Sequence, residues 1–127
     1  MGIDRKFLLC GLMFAIAGLC LGIYMAASRN HSEMPAHAHI MLVGFVFSFI
    51  YATIHRLWLP GITGKLKSIQ FLLHELGALS LAIGLLLLFS GHGNEDSLAP
   101  LLGTGAICVL LAMLAMTWMV ARARTTA

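Results

Sequence analysis

The chain has 127 residues, 60% of them hydrophobic and 10% charged, with a net charge of +3 and a mean hydropathy of +0.93. A soluble domain this small has too little interior to hide so much apolar surface, so lipid must be its solvent. The positive charge is no nucleic-acid footprint, because no patch of interleaved aromatic and basic residues accompanies it.

Four apolar stretches, roughly residues 7–27, 36–59, 69–90 and 98–121, are each long enough to cross a hydrocarbon core of about 30 Å as a helix. Short loops join them. The expected fold is all-α: an integral-membrane four-helix bundle forming a single transmembrane domain over 1–127. Arg5, Lys6, Arg56, Lys65, Lys67, Arg122 and Arg124 fall at the two termini and in the second loop, while only Arg29 falls in the other loops. This asymmetry predicts that both termini face the cytoplasm.

The first stretch follows Arg5 and Lys6 and ends in Met25-Ala26-Ala27-Ser28, like a signal peptide, but its apolar core is too long for one. Gly11, Gly18 and Gly22 lie within about 40° of one another on a helical wheel. Gly18 and Gly22 form a GxxxG, a surface that admits a neighbouring backbone closely. The polar loop that follows carries Arg29, His31 and Glu33, and Pro35 is well placed near a helix start.

The second stretch opens with Pro35-Ala36-His37-Ala38-His39. An ionisable side chain at the mouth of a membrane helix costs free energy and is usually kept for a task. Neutral imidazole suits haem iron, copper and zinc. On a regular helix His37 and His39 lie about 200° apart, on opposite flanks at one depth. His37 and His55 are five whole turns apart, which predicts a shared face and about 27 Å along the axis. Phe45, Phe47, Phe49, Tyr51 and Trp58 could pack against a porphyrin or face lipid and the interface.

The third stretch carries His74 beside Glu75, and then Gly77, Ser80 and Gly84. Glu75 is the one acid within a span; it reads as a partner for His74 or Arg56 at the inner edge, or as a proton relay. His74 and His92 share a face if the helix extends to His92. His37 and His92 then lie at the outer end, and His55 and His74 at the inner end. Two such pairs, one per leaflet, would suit a transmembrane di-haem path. The fourth stretch offers Gly103, Ala106, Ala112 and Ala115 as small packing residues. Cys10, Cys20 and Cys108 form no CxxC and read as small core residues rather than ligands.

The run Ala36-His37-Ala38-His39-x-x-x-x-Gly44-Phe45-Val46-Phe47, followed by Ile54-His55-Arg56-Leu57-Trp58-x-Pro60, resembles one helix of the catalytic subunit of haem–copper oxidases and nitric oxide reductases. The similarity covers mainly residues 34–64. In that superfamily the His-x-His pair ligates two different haems, one on each flank, and His37 and His39 are the matching positions. The resemblance implies a b-type haem protein of a prokaryotic inner membrane, carrying electrons to or from a respiratory redox partner or sensing a small gas. That subunit has about twelve helices arranged as three arcs, so a four-helix chain could rebuild the ring as a homotrimer. His37 of one protomer and His39 of the next would then grip one haem. The His-His dipeptide and the Tyr-x-x-x-His arrangement of the family's copper site are missing, so a complete oxidase in one chain is not expected.

Near the outer end, Arg29 could clamp a haem propionate, and Glu33 could accept the second ring N–H of His37. Two other classes compete. One is a copper- or zinc-handling assembly or transport factor using His31, Met34, His37 and His39. The other is a structural accessory subunit of a respiratory complex. No carboxylate pair, nucleophile–base set or phosphate loop argues for turnover by the chain itself.

Overall fold

A computed structural model describes residues 1–124, and among these the chain is helical throughout with no strand. Four helices are long and apolar enough to cross a membrane: α1 (Ile3–Ser28), α2 (Met34–Leu57), α3 (Leu66–Phe89) and α4 (Glu95–Arg122). Their surfaces keep large apolar side chains outward, among them Met13, Ile23, Leu57, Leu76 and Ile107. Such a surface fits lipid, and the chain is a multi-pass membrane protein by the length and composition of its helices.

The helix ends follow their sequences. Arg29 closes α1 in the left-handed region at φ 54°. Pro35 stands in the first turn of α2, where its missing N–H costs nothing. Asn94 and Ser97 form a reciprocal capping box at the start of α4, with Ser97 N–H donating to Asn94 Oδ1 at 2.8 Å. α3 stops at Phe89, and Gly91 turns the chain at φ 82°. His92 therefore lies beyond the helix, and the expected common face with His74 does not exist.

α2 is not a regular helix. Between Ile40 and Val46 it widens into a π turn, and it returns to α geometry at Phe47. The wide turn lies between His37 and His55, so five regular turns do not separate them, yet both rings meet α1, His37 at Gly18 and His55 at Phe7.

Packing runs mainly along the chain order: α1 on α2, α2 on α3, and α3 on α4. Glycine sets two of these approaches. A Cβ at Gly11 would stand 3.1 Å from Ser48 Cβ, so the glycine stripe of α1 does seat α2. α3 and α4 meet backbone to backbone: a Cβ at Gly77 would stand 2.9 Å from the Gly105 carbonyl, and one at Gly105 3.0 Å from the Gly77 carbonyl. Gly105, not the expected Gly103, is the contact; Gly103 faces open space. Around Phe7, the residues Tyr51, Ala52, Leu59, Met116 and Met119 form the core near the basic end of the molecule.

Gly77→Ala should therefore destabilise the α3–α4 pair by about 1–3 kcal/mol through forced backbone separation. Gly103→Ala should leave the melting temperature of the detergent-solubilised protein unchanged or slightly raised. Equal effects of the two would contradict this packing.

Candidate metal centre

The six residues before the π turn, Met34–His39, present the two candidate ligands. His37 turns toward α1 and is half-buried. Its Nδ1 lies 2.9 Å from the Gly18 carbonyl oxygen. A carbonyl carries no proton, so Nδ1–H donates and the lone pair resides on Nε2. The GxxxG spacing makes this approach possible: a Cβ at Gly22 would stand 3.2 Å from His37 Cε1, and one at Gly18 would overlap the Met41 side chain.

His39 leaves by the other flank, as the helical wheel predicts, and is exposed. Its Nδ1 lies 2.9 Å from the Pro35 carbonyl, one turn back on the same helix. The same logic places its proton on Nδ1 and its lone pair on Nε2. Each imidazole thus has its orientation fixed by one backbone bond and a ligand nitrogen aimed away from it. A metal-ligating histidine is oriented in this way, its other ring N–H held by a carbonyl or carboxylate.

The neighbouring charges do not act as expected. Glu33 makes no side-chain bond to His37; its two carboxylate oxygens are buried with no partner, although its backbone carbonyl accepts the His37 N–H at 2.9 Å. Burial pushes the Glu33 carboxyl above the usual carboxylate range, and the nearby His92 opposes that shift. His92 is exposed and hydrogen-bonded through Nδ1 to Ser90 Oγ at 2.8 Å. Arg29 is exposed at the C-terminal end of α1, the same end as His37. His31 is exposed, and its carbonyl accepts the Met34 N–H at 3.2 Å.

The other two histidines are buried inside the protein. His74 is fully buried, and its Nε2–H donates to the Val43 carbonyl at 3.0 Å. Val43 belongs to the π turn. A return from i→i+5 to i→i+4 bonding leaves a carbonyl without its amide, and His74 supplies a donor there. His55 is 3% exposed and donates Nε2–H to Gln70 Oε1 at 3.2 Å. Phe7 stacks on His55 with ring centroids 5.6 Å apart, and Tyr51 meets His74 edge-on at 4.9 Å. The lone pairs of His55 and His74, on Nδ1, are enclosed and have no partner among the described residues.

Glu75 bonds neither His74 nor Arg56. Ser48 Oγ donates to its Oε1 at 2.9 Å, while exposed Arg56 pairs with Asp4 at 3.7 Å. Glu75 also stands about 14 Å along α3 from its start, closer to mid-span than to an edge. Gln70 and Ser48 escaped the sequence reading. Gln70 carried a signal, since it precedes His74 by one helical turn in an otherwise apolar face; Ser48 carried none.

Among the described residues no three His, Cys, Asp or Glu side chains gather into a metal cage. His37 and His39 each stand as a single imidazole donor. Porphyrin supplies four nitrogens of its own, and the protein need add only axial ligands, so this donor set fits haem iron.

No family model, no curated protein and no solved structure matches this chain.

The two kinds of histidine should separate in stability. His74→Ala removes a buried bond and leaves the Val43 carbonyl unpaired in an apolar interior, at about 1–3 kcal/mol. His39→Ala removes an exposed ring and should change the melting temperature of the haem-free protein little. Equal losses would contradict the structural role given to His74.

Proposed function

We propose that this protein is a membrane haem protein of the b type, with His37 and His39 as axial iron ligands through Nε2. The observation that carries the reading is the pair of Nδ1–carbonyl bonds, His37 to Gly18 and His39 to Pro35, each at 2.9 Å. They fix both rings with the ligand nitrogen free. The likeness of residues 34–64 to the His-x-His helix of haem–copper oxidases and nitric oxide reductases supports the same assignment.

Bound haem would supply a one-electron redox couple. The chain's own contribution is placement. α1 orients His37 through its carbonyl, and the glycine stripe leaves the ring room. His39 projects from the outer surface of the bundle, so a haem held there must be covered by another body. A second copy of the chain is the simplest cover, with His37 of one protomer and His39 of the next on one iron; a homotrimer closes such a head-to-tail contact. The exposed Arg29 lies at the same end and is suited to a propionate.

The distribution of basic residues supports an orientation with both termini in the cytoplasm and the histidine pair toward the outer face. A prokaryotic inner membrane is the proposed location. A respiratory redox partner would exchange electrons there.

Protein produced with ample porphyrin should be red, with a Soret band that shifts on reduction. His37→Ala and His39→Ala should each lose most of the haem measured by pyridine haemochrome, while His55→Ala, assayed in folded material, should retain it. Full haem content in both single variants would refute the ligand assignment.

A further inference from the structure

Away from the histidine pair, the ends of α2 and α4 and the loop between α2 and α3 border two adjoining open spaces. The first is a slot of about 410 Å³ between α2 and α4, with apolar walls that include Ile50, Ile54, Met113 and Val120. The second is a cleft of about 810 Å³ at the basic end of the molecule, bordered by Trp58, Thr63, Trp118, Arg122 and Arg124. Val120 lines both. The apolar slot between the spanning helices thus adjoins the arginine-bearing cleft at Val120.

The rim is built for an anion. The Arg122 guanidinium carbon lies 5.0 Å from the Trp118 ring centroid, which positions the charge against an aromatic face. The ion pair found among the described residues is Arg56–Asp4, so neither Arg122 nor Arg124 is matched to a described carboxylate. Arg122 alone would suffice to offset the carbonyl end of α4; Arg124, beyond the helix end, exceeds that need. Tryptophans at this level mark the membrane–water interface. Basic pockets between spanning helices recognise acidic lipid headgroups.

We propose that this groove binds an anionic diacyl phospholipid, with its headgroup at Arg122 and Arg124 and an acyl chain in the slot between α2 and α4. Charge complementarity selects the head, and the apolar slot, set within the spanning region, selects the bilayer as the source. The site is independent of the haem assignment, since it shares no residue with His37 or His39.

The test uses a property of the sequence: the chain's two tryptophans both border the cleft. The full-length protein is reconstituted in phosphatidylcholine bilayers that contain brominated phosphatidylglycerol or, in parallel, brominated phosphatidylcholine. Brominated phosphatidylglycerol should quench the tryptophans preferentially and saturate at low mole fraction. Arg122→Gln with Arg124→Gln should weaken that association roughly fivefold per arginine. Both side chains are exposed, and circular dichroism checks the fold of the double variant. Lys65→Gln removes one charge from the same membrane surface outside the cleft and should leave the quenching unchanged. Equal quenching by the two lipids, no effect of the arginine substitutions, or an equal effect of Lys65→Gln would each overturn the proposal, the last by reducing it to general surface attraction.

Discussion

The bond between His74 and the Val43 carbonyl is the interaction on which the arrangement of this protein turns. Hydrocarbon offers no hydrogen bond to an exposed backbone group, so a spanning helix that departs from regular bonding must satisfy the freed carbonyl from within. α2 departs from it over Ile40–Val46, and a fully buried imidazole from α3 answers at 3.0 Å. The wide turn re-aims the second half of α2. Ser48 then meets Glu75, and His55 meets Gln70, both on α3. The polar seam along α2 and α3 follows from one irregular turn and one histidine.

On the other side of the turn, the short opening of α2 is held differently. It packs on α3 and also reaches the glycine stripe of α1, which brings the Gly18 carbonyl within reach of His37. Four of the six histidines thereby divide by chemistry. His37 and His39 give Nδ1–H to backbone carbonyls and keep Nε2 for a ligand. His55 and His74 give Nε2–H to groups inside the protein and enclose Nδ1 among aromatic rings. The second pair serves cohesion, and this split is what favours the proposal of His37 and His39 as haem ligands over a di-haem path that pairs His37 with His92 and His55 with His74.

Much of this was legible in the sequence, and the failures share a cause. Hydropathy located all four helices to within a few residues, because lipid imposes the length of each apolar stretch. The opposite flanks of His37 and His39 were legible because both residues precede the π turn, where regular helical counting holds. Counting onward to His55 missed the π turn, since nothing in Ile40–Val46 announces a change of pitch. The glycine stripe of α1 was readable as a packing face, but spacing alone did not show that its carbonyl would orient a histidine. Pairings across helices were the least readable. Arg56 and Glu75 match in charge, yet Asp4 and Ser48 take them, because depth in the membrane and the rotation of α2 decide which side chains meet.

The account reduces to where the ring protons sit, and that is directly measurable. Histidine-labelled, haem-free protein in bilayers can be studied by ring nitrogen-15 nuclear magnetic resonance at a pH where imidazole is neutral. The account predicts protonated Nδ1 and bare Nε2 for His37 and His39, and the reverse tautomer for His74. Protonated Nε2 on His37 and His39 would contradict it, because their ligand nitrogens would then be blocked and the two bonds that orient them would not exist.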